Sequence, residues 1–116
     1  MGVGERIRVE VENWDGVTAR PHRFGGVAFM FGKRELGHIH GDRLADLPFP
    51  KRVAEELIAE GKALPHHVVR DSGWVSKPIR TEQDVEAVLA LFRLSYDRAI
   101  AATARRAKGS DPVEAG

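Results

Sequence analysis

The chain has no cysteine among its 116 residues, which excludes disulfides, thiolate nucleophiles and thiolate metal sites outright. It also lacks an excess of either charge. Eighteen Lys and Arg stand against seventeen Asp and Glu, for a net charge of +1. A strong nucleic-acid binder carries a clear basic surplus, so nucleic acid is not an expected partner. No apolar run approaches the roughly 20 residues needed to cross a bilayer. The opening residues, Met1 to Arg6, lack the basic-then-apolar layout of a secretion signal. Gly2 could start a myristoylation signal, but Arg6 stands where that signal requires Ser or Thr. The expectation is a cytoplasmic protein with no membrane partner. Internal repeats and low-complexity stretches are absent as well.

What is present is ordinary for one small core. Hydrophobic residues make up 42% of the chain and charged residues 30%, and the length suits one domain. Residues 5–13 fit two periods. Ile7, Val9 and Val11 alternate like a strand, while Ile7, Val11 and Trp14 share a helical face. Beyond the Asp15-Gly16 break, four closely spaced strands are predicted at 17–24, 27–31, 34–40 and 43–47. Gly25-Gly26, Gly32-Lys33 and Gly41-Asp42 supply the turns of an antiparallel meander.

Pro48-Phe49-Pro50 ends that run and Pro50 suits a helix start. Val53, Ala54, Leu57 and Ile58 form an apolar stripe closed by Gly61. Residues 64–70 read as a loop or short strand, and 74–79 as the last strand. Thr81-Glu82-Gln83-Asp84 approximates a capping box for a long helix carrying Val85, Val88, Leu89, Phe92, Tyr96, Ala99 and Ile100. The fold class is α+β: an antiparallel sheet of about five strands with helices packed on one face. A single domain is expected over 1–107, with a disordered tail at 108–116.

The concentrated chemical signal is five histidines: His22, His38, His40, His66 and His67. His38 and His40 lie two apart on a predicted strand and so share a face. Such imidazoles can act as bases near neutral pH. With a third ligand from His66 or His67 they could also hold a metal ion. The bland alternative is a pair of half-buried histidines satisfied by the backbone. Arg20 and His22 share a face of the first strand, and Arg20 could pin a carboxylate, enolate or phosphate. Trp74 follows the turn Asp71-Ser72-Gly73 and reads as a core or pocket-wall residue. Ser72 lacks the flanking pattern of a nucleophile elbow.

The segments Arg20-Pro21-His22-Arg23-Phe24-Gly25-Gly26, Gly37-His38-Ile39-His40-Gly41-Asp42, Pro65-His66-His67-Val68 and Asp71-Ser72-Gly73-Trp74-Val75-Ser76 together resemble small bacterial proteins grouped with the fungal luciferase domain. The resemblance covers roughly Trp14 to Tyr96 and is remote to the fungal enzymes. It maps His38, His40 and His66 onto matching positions. It departs in the strand after His40, where the fungal pattern carries a further histidine and this chain reads Leu44-Ala45-Asp46-Leu47. The element order also resembles the YjbR-like, double-split β-α-β layout, which implies a helix for residues 5–13.

The resemblance implies a small-molecule ligand and oxygen chemistry with no metal and no organic cofactor. His38, His40 and His66 would be catalytic, with His38 or His40 taking a proton from an acidic enol. Arg20, His22 and Trp74 would bind the substrate. Two alternatives follow from the same residues: a non-catalytic module for a protein or DNA partner, and a histidine-based metal site. Oligomeric state is not encoded in any pattern here.

Overall fold

The competing periods of residues 5–13 resolve in favour of the helix. Ile7 and Val11, four residues apart, are fully buried, whereas Val9 is exposed. The computed structural model describes residues 2–69 and 72–109. Its elements are α1 (Val3–Glu12), β1 (Val17–His22), β2 (Gly26–Phe31), β3 (Arg34–His40), β4 (Leu44–Pro48), α2 (Lys51–Ala59), β5 (Leu64–Pro65), β6 (Trp74–Pro78) and α3 (Glu82–Gly109). The fold is α+β, as the patterning predicts. Helix α3 continues to Gly109, and the rest of the expected tail, 110–116, lies outside the described residues.

All strand pairs are antiparallel, in the order β1-β2-β3-β4-β6-β5. The sheet therefore has six strands rather than about five; the extra one is the two-residue β5, which borders β6. The first strand stops at His22 rather than Phe24. A single 3-10 turn, Arg23–Gly25, follows it, and Phe24 there adopts a left-handed backbone at φ 58°.

One face of the sheet carries the core. Phe29, Ile39, Ala45, Leu47 and Val75 point into a single apolar cluster. Ile7 and Val11 of α1, Val53 and Leu57 of α2, and Val85, Val88 and Phe92 of α3 fill its other side. All three helices thus cover the same face. Contact is close enough at Gly37 (φ 150°) that an added Cβ would lie 2.8 Å from the Asp46 carbonyl oxygen. It would also lie 2.9 Å from Leu47 Cγ and from Phe92 Cε1. Only glycine lets α3 sit this near β3. Ser95 reinforces the seam by donating its hydroxyl to the Leu36 carbonyl at 2.9 Å.

The predicted capping box is present and reciprocal at the start of α3. The Asp84 N–H donates to Thr81 Oγ1 (3.3 Å), and Asp84 Oδ2 accepts the N–H groups of Thr81 (3.0 Å) and Arg80 (2.7 Å). Among the described residues no helix is long and apolar enough to cross a membrane.

Candidate functional site

The helix-free face is built from the residues that alternate with the core. In an antiparallel pair, directly opposed residues share a face. The register opposes His38 to Asp46 and His40 to Leu44 across β3 and β4, then Asp46 to Ser76 and Pro48 to Trp74 across β4 and β6. Since Ile39, Ala45, Leu47 and Val75 point into the core, His38, His40, Asp46, Ser76 and Trp74 all point the other way. His22 of β1 joins them, its ring stacked on that of His38 with 3.9 Å between centroids. His66 and His67 reach the same place from the segment after β5.

Asp46 is the centre of this face. It is fully buried although it lies on the helix-free side. Burying a carboxylate is costly unless it is paired and hydrogen-bonded. Its Oδ1 accepts the Ser76 hydroxyl at 2.6 Å. Its Oδ2 lies 3.0 Å from His40 Nε2, 3.3 Å from His38 Nε2, 3.4 Å from His67 Nε2 and 3.6 Å from His66 Nε2. The histidines themselves therefore seal the carboxylate from water.

Outer contacts orient two of the rings. His38 Nδ1 lies 2.8 Å from Glu35 Oε2, so a carboxylate holds each end of that ring. His66 Nδ1 accepts the backbone N–H groups of Val68 (3.1 Å) and Val69 (3.2 Å). This contact assigns the proton of neutral His66 to Nε2, the nitrogen facing Asp46.

The electrostatics follow from this geometry. Burial alone would favour neutral His38, but its hydrogen bonds to Asp46 and Glu35 outweigh burial and push its pKa up to about 9. Burial would likewise raise the Asp46 pKa. The contacts from His38, Ser76 and His40 reverse that and hold it well below the usual carboxylate range. Two imidazoles shift the other way. Burial lowers His22, and the charge on His38 adds to it. Burial lowers His66 despite the pull of Asp46, with His67, His38 and His40 adding repulsion. The face thus sets one stabilised imidazolium, His38, beside two rings that resist protonation, His22 and His66.

A cleft of about 610 Å³ opens beside the cluster. Phe24, Arg43, Leu44, His40 and His67 line it. Phe24 is almost wholly exposed at its rim.

Of the residues expected from sequence, His22, His38, His40, His66 and Trp74 come together. Trp74 is half-buried, its ring 5.4 Å from that of His38 and 6.0 Å from that of His66. It is a wall of the site rather than core. Arg20 points to the same face two residues from His22 but is exposed, and among the described residues no hydrogen bond or ion pair joins it to the cluster.

The sequence reading passes over Asp46, Glu35 and Ser76. A signal for Asp46 does exist. In Ala45-Asp46-Leu47 a lone acid sits between two core residues, on the strand that returns from His38 and His40. Pairing the two strands across the Gly41-Asp42 turn would have placed it among the histidines.

The family model described as Luciferase domain matches residues 33–95. That span contains His38, His40, Asp46, His66, His67, Trp74 and Ser76; Arg20 and His22 precede it. No curated protein and no solved structure matches the chain.

Proposed function

This chain belongs to the luciferase-domain family, and from that premise we propose that its helix-free face binds a small, acidic organic molecule and moves a proton on it. The observation that carries the proposal is the convergence of four imidazoles on one buried carboxylate at the side of an open cleft. Such a pocket, with a few convergent polar groups, is the usual form of a small-molecule site. The alternative of an interaction module expects the histidines to be dispersed, and their convergence weighs against it.

The roles divide by position. His40 lines the cleft and touches Asp46, so it takes the proton of an enol or comparably acidic group. His38 sits deeper, between Asp46 and Glu35, and supplies positive charge beneath the developing anion. His66 turns its Nε2 proton toward the site, 3.6 Å from Asp46 Oδ2, while Ser76 keeps the carboxylate oriented. Trp74, His22 and Phe24 provide flat surfaces for a planar ligand, and Arg20 stands at the edge to meet a second anionic group. An enolate formed this way is electron-rich, which links the proposal to the oxygen chemistry that the fungal resemblance implies.

The test is calorimetric titration of the purified chain with hydroxylated pyranones and cyclic β-diketones at pH 6 and pH 8. Binding that weakens about tenfold or more in His40→Ala, with the fold intact by circular dichroism, supports the reading. Equal binding by wild type and His40→Ala, or no binding by any enolic probe, overturns it.

A further inference from the structure

We infer that Asp46, His38, His40 and His67 form a site for one divalent transition-metal ion of the zinc class. The inference uses the same face as the small-molecule reading but not its proton chemistry. It also departs from the metal-free chemistry that the fungal resemblance implies.

The distances are the first argument. Two ligands bound to one ion at about 2.0–2.1 Å with tetrahedral angles lie roughly 3.3 Å apart. Asp46 Oδ2 lies 3.0 Å from His40 Nε2, 3.3 Å from His38 Nε2 and 3.4 Å from His67 Nε2. These separations bracket the edge of such a tetrahedron. They are less natural as hydrogen bonds, because a carboxylate oxygen has two lone pairs and cannot serve all the nitrogens around it equally well. Each ring also presents the same atom, Nε2, as a set of ligands would.

The outer contacts are the second argument. A metal-bound imidazole almost always donates its other N–H to a carboxylate, carbonyl or water, and a bound carboxylate is itself hydrogen-bonded. Glu35 Oε2, 2.8 Å from His38 Nδ1, is placed to keep the proton on that nitrogen, so the ion has only the Nε2 proton to displace. Ser76 donates to Asp46 Oδ1 at 2.6 Å and leaves Oδ2 free.

Two histidines are excluded on the same grounds. His66 uses Nδ1 to accept two backbone N–H groups, so its Nε2 keeps a proton and cannot ligate. It stands beside Asp46 at 3.6 Å as a wall of the site. His22 lies flat against His38 and forms wall rather than ligand.

The scaffold fits an exchangeable site. His38, His40 and Asp46 stand on two paired strands of the sheet, where the backbone fixes them. His67 is about half exposed and borders the cleft, so a water or a ligand oxygen can reach the ion from that side.

The probe is Co2+, added to the chelator-treated full chain at neutral pH and followed by visible absorption. Expected are saturation at one ion per chain and the intense visible bands of a four- or five-coordinate ion. Affinity should fall about tenfold or more in His40→Ala and His67→Ala, and by less than about threefold in His22→Ala. His67 is half exposed, so its variant tests the ion without risking the fold. No saturable binding at micromolar Co2+, or binding that survives both substitutions, would overturn the inference. So would binding lost in His22→Ala but kept in His67→Ala.

Discussion

The two faces of the sheet are made from the same strands and do opposite work. Ile39 and Leu47 are buried under the helices, in one apolar cluster with residues of all three. Their neighbours His38 and Asp46 are buried too, yet among the described residues no helix covers them; the side chains of His22, His40, Ser76 and Trp74 do. The covered face is stabilised by apolar area and shape, which are insensitive to pH and salt. The open face is held together by charge matching, which depends on both. A side chain's burial therefore does not reveal which kind of stability it belongs to.

The largest loss of stability is expected on the covered face. Phe92 is fully buried and meets Phe29 edge-on at 5.3 Å. Phe92→Ala should cost about 4 kcal/mol, read from chemical unfolding. The fraction that remains folded should keep the His38 titration near its raised value in NMR. A His38 pKa that collapses with the core would show that the two faces are not independent.

Asp46→Asn keeps shape and removes charge. It should cost about 3 kcal/mol, because it removes the more buried of the two carboxylates that hold the His38 imidazolium. His38 should then titrate well below about 9, toward its ordinary 6.5. A fully stable Asp46→Asn protein with an unmoved His38 titration would remove Asp46 from the centre of the open face.

The third expectation concerns pH in the metal-free protein. The raised His38 pKa contributes stability that is whole below 6.5 and is lost as pH rises through about 9. The loss should amount to about 3 kcal/mol and be absent in His38→Ala. On the acid side the signs reverse. The lowered pKa values of His22 and His66 give stability present above 6.5 and lost as pH falls below it. The lowered Asp46 pKa adds stability present above 3.8 and lost on further acidification. Denaturant midpoints at pH 5, 7 and 10 would trace this dome.

The smallest effect belongs to Phe24, almost wholly exposed and held at φ 58°. Phe24→Gly should leave stability unchanged or raise it by up to about 1 kcal/mol, since glycine adopts that backbone freely. If Phe24 serves the cleft, enolic ligands should bind more weakly at the same time.

Much of the covered face is legible in sequence, because its signals are local. The strand spacings, the capping box and the long helical stripe each lie within a few residues of one another. The helix at 3–12 is different: two periods fit its residues, and only packing of Ile7 and Val11 against α3 and the sheet selects between them. The histidines are legible as a set because imidazoles are rare and two of them alternate on one strand. Asp46 is hidden in a chain with seventeen acids, where one more carries no chemical emphasis. Its meaning comes from register, which pairs it with His38 across a tight turn and with Ser76 from 30 residues further on. Glu35 is obscured by the irregularity in β2–β3 pairing between Phe29 and Met30, which disturbs simple alternation.

Strand β4 pairs directly with β6, and at that seam the Phe49 N–H donates to the Gly73 carbonyl at 3.0 Å. The stretch between these two residues carries α2 and β5 and returns to the place it left. Lengthening such a stretch costs little chain entropy and need not disturb the strands it joins. His66 and His67 ride on it, while His38, His40 and Asp46 are anchored in the sheet. The site is thus part framework and part attachment: the segment between β5 and β6, and with it the two outer imidazoles, can vary while the carboxylate and its strand-borne histidines stay in place.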